Sequence, residues 1–253
     1  LMAEAKANKV AFFATPWDFP SVDFLEGLDV PAYKVASCDL TNTPLLRYIA
    51  SMKRPTIIST GGGSLEAVDR AVDIVTSEGA PLAVMQCTSG YPPQFDELNL
   101  NVIATFRERY PDATIGYSGH DSGIAMGLVS YVLGARIIEK HFTLNRAMKG
   151  TDHSFSLEPD GLRKMVRDLR RAHEALGDGV KRAYESEAAP LKKLSKMIVA
   201  KDDLASGRVL SESDFDYRSP GHGIAPADSG ILVGKALTRD IAALTPILEG
   251  DVA

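Results

Sequence analysis

Short apolar runs alternate along this chain with longer amphipathic ones. VAFFAT (10–15) precedes a helical stretch near 21–28, AYKVAS (32–37) one near 44–51, and PTIIST (55–60) one near 65–77. PLAVMQCT (81–88) precedes a helix near 98–109, TIGYS (114–118) precedes GIAMGLVSYVLG, and RIIEKHF (136–142) precedes a helix near 159–176. Strands that are apolar at nearly every position are buried on both faces. Their alternation with helices predicts six β/α units, a parallel sheet with crossover helices. The last helix is the most regular. Leu162, Met165, Val166, Leu169, Ala172 and Leu176 follow helical spacing, Pro159 suits the first turn, and Gly177 follows the end. Arg163, Lys164, Arg167, Arg170 and Arg171 fall mostly on its other, solvated face.

After Gly177 the pattern changes. GDGVKRAYESEAAP (177–190) is polar and irregular and reads as a linker. Beyond it the segments are short and punctuated by Gly and Pro. DLASGRVLSESDF (203–215) and DIAALTPILEGDV (240–252) align without gaps, sharing Asp, Ala, Glu and Asp with aliphatic matches between. Two similar halves suggest a small pseudo-symmetric domain near the lower size limit for an independent core, although thirteen residues can also match by chance. The domain plan is 1–177 for the α/β domain, 178–193 for the linker and 194–253 for the small domain.

Composition narrows the function classes. The 253 residues are 45% hydrophobic and 24% charged, as in ordinary globular proteins. A net charge of −5 carries no basic excess and argues against a nucleic-acid partner. No apolar run is long enough to span a membrane, and no signal-peptide pattern opens the chain. Cys38 and Cys87 are far apart and give no disulfide framework, so a reducing cytosol is expected. The opening LMAEAKANKVAFFATP reads as the tail of a helix followed by a strand, as in the middle of a domain.

The chemistry gathers at strand ends. In order they carry Thr15, Ser37 with Asp39, Ser59 with Thr60, Thr88 with Ser89, Ser118 with His120, and Glu139 with His141; Lys34 lies within the second run. In an α/β barrel the C-terminal strand ends converge on one face, where active sites are built. Alternation along a strand puts Ile137, Glu139 and His141 on one face, and Ile138 and Lys140 on the other. Glu139 and His141 can then share a barrel lumen with His120 from the neighbouring strand. Two neutral imidazoles with open positions suit a divalent ion that also binds substrate; a structural role for either histidine is the alternative. STGGG (59–63) is either a phosphate cradle at a helix N-terminus or a tight βα turn, and it is not a Walker sequence. Lys140, outward by parity, reads as structural and as paired with an acid from a helix.

YKVASCDLTNTPLL, IISTGGGSLE, QCTSGYP, IGYSGHDSGI, IIEKHFTLNR, GTDHSFSLEPD and RSPGHGIAP resemble, in order, the motifs of the sialic acid synthase family. That resemblance implies an α/β fold, a (β/α)8 TIM barrel followed by a small β-rich SAF (antifreeze-like) domain. It also implies condensation of phosphoenolpyruvate with an N-acetylated amino sugar to a nonulosonic acid, for bacterial surface polysaccharide. His120 and His141 match the family's metal ligands, for Mn²⁺ foremost, with Mg²⁺ or Co²⁺ as alternatives. Thr15, Lys34, Ser37, Ser59 and Ser118 match its phosphoenolpyruvate positions, with Ser89 where many members have Asn. Tyr91 and Asp152 match positions near the sugar, Asp39 sits where many members have Glu, and Arg218 matches an arginine of the SAF domain. Here that motif reads RSPG rather than RPG, and Gly119 replaces a common Asp. The resemblance further implies a homodimer with each SAF domain capping the partner's barrel. The family's first two β/α units have no counterpart, leaving six of eight strands by this count. Glu139 is the candidate for handling a water proton, or equally an orienter of a histidine. Competing readings are a truncated, non-catalytic sugar-binding or scaffolding paralogue, and another metal-dependent barrel aldolase or 3-deoxy-sugar-acid synthase.

Overall fold

Five of the six apolar runs form strands: β1 (Tyr33–Val35), β2 (Thr56–Ser59), β3 (Leu82–Cys87), β4 (Thr114–Gly119) and β5 (Ile137–Lys140). The computed structural model describes residues 1–253 in two compact units, Leu1–Gly177 and Asp178–Ala253. In the first, the five strands lie in chain order and every neighbouring pair is parallel. The sixth run, 10–15, does not form a strand. Only Ala14 bridges, to Tyr33, and Val10 and Phe13 stay exposed. Pro16 follows immediately and has no N–H to continue a ladder, and β1 offers only three residues to pair with.

Helices α1 (Met2–Ala7), α2 (Phe19–Gly27), α3 (Thr43–Ser51), α4 (Leu65–Ser77), α5 (Val102–Arg109), α6 (Ala125–Leu133) and α7 (Pro159–Leu176) complete the unit. Their starts are chemically marked. Asp18, Asn42 and Ser64 side chains accept the Ser21, Leu45 and Ala67 amides at the heads of α2, α3 and α4. The helix expected near 98–109 begins only at Val102, as α5, because Asn99 takes a left-handed φ of 41° that a helix does not admit; a 3₁₀ turn (Phe95–Glu97) precedes it. Leu82 and Val84 face the helices and join the core with Leu46, Ile49, Val68, Val75, Ile103 and Phe106, all but closed to solvent. Ala83, Met85 and Cys87 face the other way, toward the side on which the polar residues collect.

The second unit contains α8 (Ala188–Leu194) and the antiparallel pair β6 (Met197–Ala200) and β7 (Phe215–Arg218). Helix α8 and a 3₁₀ turn (Glu185–Glu187) occupy most of the stretch expected as linker. Glu187 caps that turn by accepting the Tyr184 amide at 2.7 Å. The internal repeat is a true pseudo-twofold. Leu204 and Ile241 exchange backbone hydrogen bonds at 2.8 Å in both directions. Asp240 caps the Ser206 amide at 2.7 Å, and Asp203 caps the Ala243 amide at 2.8 Å. The equivalent carboxylates of Asp214 and Asp251 each take an arginine, Arg208 and Arg239, at 2.7 and 2.6 Å, although the arginines themselves stand at non-equivalent positions. Gly207 and its counterpart Leu244 both adopt positive φ, 80° and 62°. No helix is long and apolar enough to cross a membrane.

Candidate active site

The site is assembled by register. Cys87 of β3 pairs with Ser118 of β4, which pairs with Glu139 of β5, so three successive strands present one row on the same face. Ser118 Oγ donates to Glu139 Oε1 at 2.8 Å. Lys34 of β1 donates to Ser59 Oγ of β2 at 2.7 Å and lies 3.7 Å from Glu139 Oε2. Lys34, Ser59, Ser118 and Glu139 thus form a continuous polar chain across the sheet. Burial pushes the Lys34 ammonium below its ordinary pKa, and Glu139 pulls it partly back.

The STGGG loop closes against this chain as a tight turn. Ser37 Oγ accepts the Gly61 amide at 3.0 Å, and Gly63 donates to the Thr60 carbonyl at 3.0 Å, so two of the three glycine amides are spent internally. A Cβ on Gly61 would collide with Ser89 and come within 2.9 Å of Ser37 Oγ. This close approach explains why glycine is needed there, and it brings Ser37 and Ser89 together. Thr15 is half-buried one residue past the bridge at the β1 edge and stands outside the hydrogen-bonded set. Asp39 lies on the turn after β1, where its carboxylate accepts from Asn42 Nδ2 at 2.9 Å.

His120 follows β4 directly, and His141 follows β5 directly. Their ring centroids are 5.1 Å apart. His120 Nδ1 donates to the Thr88 carbonyl at 3.0 Å, which leaves Nε2 as the basic nitrogen. His141 Nδ1 lies 3.5 Å from Asp152 Oδ2. Burial opposes charge on both rings. At His120 the Cys87 sulfur and the Thr88 carbonyl outweigh it and raise the pKa; at His141 burial and the neighbouring His120 lower it. At Cys87 burial is likewise outweighed, by hydrogen bonds from His120 and Ser37, and the thiol pKa is lowered.

No group of three or more His, Cys, Asp or Glu side chains converges to hold an ion. Two imidazoles, one with its Nδ1 committed to a carbonyl and the other facing a carboxylate, fit a divalent ion whose remaining positions go to substrate or water. The Tyr91 ring lies tilted with its centroid 4.2 Å from that of His120, and Phe155 meets His141 edge-on at 5.2 Å. Phe155 is buried and forms the floor under both rings; sequence reading passed over it, because an apolar residue in a loop carries no chemical signal. Arg218 belongs to the second unit, on β7, where it pairs with Asp216 at 2.6 Å. Lys140 does point away from Glu139, but its acid is not on a helix. Asp121, in the loop after β4, supplies it at 2.9 Å. The loop is closer than any helix, because the strand pair itself carries it there.

A parallel α/β sheet that gathers an ammonium, a carboxylate, hydroxyls and two imidazoles at its strand ends defines a centre of the barrel-enzyme class. Comparison with known proteins is specific. Residues 1–181 match the NeuB family and residues 195–253 match the SAF domain, and the chain belongs to the NeuB family. It is 35% identical over 243 residues to N,N'-diacetyllegionaminic acid synthase of Campylobacter jejuni, covering 95% of this chain and 72% of that protein. It is 37% identical over 250 residues to human N-acetylneuraminate-9-phosphate synthase, covering 98% of this chain and 70% of that protein. The crystal structure of N-acetylneuraminic acid synthetase from Leptospira borgpetersenii, in complex with citrate, matches with a TM-score of 0.69 at 35% identity, over 75% of this chain and 66% of that one. These three relatives are named as synthases of legionaminic and neuraminic acids.

Proposed function

We propose that the protein condenses phosphoenolpyruvate with the open-chain aldehyde of an N-acetylated amino sugar, releasing phosphate and a nonulosonic acid. The observation that carries this reading is the polar chain of Lys34, Ser59, Glu139 and Ser118 set beside the His120–His141 pair. An ammonium backed by hydroxyls suits a small, highly charged anion. The names of the relatives supply the reaction class.

In this reading Lys34 and the hydroxyls of Ser37, Ser59, Ser89 and Ser118, with Thr15, hold the phosphate and carboxylate, chiefly a positioning effect. His120 and His141 hold a divalent ion, Mn²⁺ foremost, which when bound polarises the sugar's carbonyl oxygen. C3 of phosphoenolpyruvate forms the new bond to the aldehyde carbon. Water then adds at C2 and phosphate departs; Glu139 accepts the water's proton. Tyr91, Asp39 and Asp152 contact the sugar, and Asp152 also faces His141. The five-stranded sheet corresponds to strands of a (β/α)8 barrel. The protein is a cytosolic homodimer in which the SAF domain caps the partner's barrel and brings Arg218 to the sugar.

The test incubates the full chain with phosphoenolpyruvate, Mn²⁺ and a panel of 2-acetamido sugars, N-acetylmannosamine and diacetamido trideoxy hexoses included, and measures phosphate release. Release that depends on both metal and sugar is expected. No release with any sugar from folded, metal-loaded protein would overturn the reading.

A further inference from the structure

One buried ionic cluster lies beside the site without belonging to the polar chain. Lys140 Nζ and Asp121 Oδ1 are 2.9 Å apart, and their side chains are only 3% and 2% exposed. The Tyr117 hydroxyl donates to the same Oδ1 at 2.7 Å, and Lys140 also donates to the Asp121 carbonyl. The other carboxylate oxygen, Oδ2, is buried without a partner.

Two features separate this cluster from ordinary packing. A buried ion pair is a poor way to gain stability, since apolar residues of similar volume often do as well or better. An unpartnered carboxylate oxygen adds to that cost. What the pair does supply is fixed geometry at a point where the sheet supplies none. The β4–β5 ladder ends at Gly119 opposite Lys140, and His120 and His141 are the next residue on each strand. Beyond that last rung, Lys140 reaches across to both the backbone and the side chain of Asp121, the residue after His120. Gly119 makes room for this. A Cβ there would lie 2.5 Å from Tyr117 Cε1 and 2.6 Å from Asp121 Oδ1.

We propose that Lys140 and Asp121 are positioning residues whose ion pair staples the ends of β4 and β5 together and so sets the separation of the His120 and His141 rings. The staple rests on the geometry just described; only the use of those rings as metal ligands rests on the reading under Proposed function.

The test uses the full chain labelled with ¹⁵N-histidine, as wild type, Lys140→Met, Lys140→Arg and Asp121→Asn. Imidazole resonances are recorded without metal, and Mn²⁺ binding is followed by electron paramagnetic resonance. In Lys140→Met the His120 and His141 resonances should move while those of His173 and His222 stay. Mn²⁺ affinity should fall by roughly 10- to 100-fold, the usual effect of removing a residue that orients a ligand. Lys140→Arg, which keeps the charge, should recover most of both. A folded Lys140→Met protein with unmoved His120 and His141 resonances overturns the staple. If that variant does not fold, the nearly isosteric Asp121→Asn decides by the same resonances. Wild type that binds no Mn²⁺ refutes the metal reading, and the metal-free resonances still decide the staple.

Discussion

Replacing Glu139 by glutamine separates binding from turnover. Glu139 Oε2 lies 3.7 Å from Lys34 Nζ, so any anion received by Lys34 competes with an internal carboxylate. At that distance a unit-charge pair is worth roughly 1 kcal/mol at the dielectric of water and roughly 4.5 kcal/mol at an effective value of 20. The Glu139 side chain is 41% exposed, and solvent screening holds the pair near the lower figure. Glutamine keeps the shape and an oxygen for Ser118 but removes the competitor. Phosphoenolpyruvate binding to Glu139→Gln should therefore tighten by about 1 kcal/mol, roughly fivefold. The pH dependence carries a sign. Burial holds the Lys34 ammonium below its ordinary pKa, and Glu139 is the main group pulling it back, so in the variant that pKa falls further. Binding needs the charged form. Affinity is lost as pH rises through the Lys34 pKa, and in the variant this loss begins at lower pH. Turnover moves the other way: with the proton acceptor gone, kcat should drop by roughly 10²- to 10⁴-fold. Isothermal titration with phosphoenolpyruvate from about pH 6 to pH 10, beside phosphate-release kinetics, reads all three quantities. Unchanged affinity with an unchanged alkaline limb refutes the electrostatic reasoning, and an unchanged kcat removes Glu139 from proton transfer.

Loss of either imidazole should cost metal binding, so His141→Ala is expected to weaken Mn²⁺ by at least about tenfold in equilibrium dialysis; equal affinity excludes it as a ligand. Gly61→Ala drives a methyl into Ser89 and Ser37 and should weaken phosphoenolpyruvate binding while costing roughly 1–3 kcal/mol of stability, measured by calorimetry and urea unfolding. In the second unit Gly207→Ala should cost about 1 kcal/mol, because a Cβ is forced into left-handed backbone, whereas Leu244→Gly at the equivalent position relieves that conformation and should be neutral or stabilising. Asp214 and Asp251 both sit below the usual carboxylate range. At Asp214 burial is outweighed by the Ser211 amide and Arg208, and at Asp251 Arg239 dominates. Their contribution is full above about pH 4 and is lost as pH falls through their lowered values. Protection of the Ser211 and Leu248 amides against hydrogen exchange, taken relative to the intrinsic rate at each pH, should fall over that acid range and stay constant above it.

Much of the frame was legible because it rests on local periodicity. The helices at 65–77 and 159–176 have the bounds their spacing implies, since apolar faces and capping residues act within a few positions. Parity along β5 alone likewise puts Glu139 and Lys140 on opposite sides. Local patterns fail where partners decide. VAFFAT is as β-prone as its neighbours, yet only Ala14 bridges, because a strand exists only if another strand meets it and Pro16 stops the ladder. The stretch 178–193 looked irregular but holds a 3₁₀ turn and most of α8, a seven-residue helix that buries none of its residues and so shows no apolar periodicity.

The residue types at the site were read from the chain itself: serines, a glutamate and two histidines at the ends of apolar runs, and a lysine within one. That information is local, because alternation and termination of strands are short-range properties. Three things depended on tertiary structure. Register set Cys87, Ser118 and Glu139 in one row. The return of the loop after β5 put Phe155 under both imidazoles and Asp152 against His141. The end of the β4–β5 ladder left the two histidines one residue beyond the last rung, with Lys140 and Asp121 closing the gap. Each is a distance between residues far apart in sequence. Side-chain periodicity tells which way a residue points, but only the packed sheet decides what it meets there.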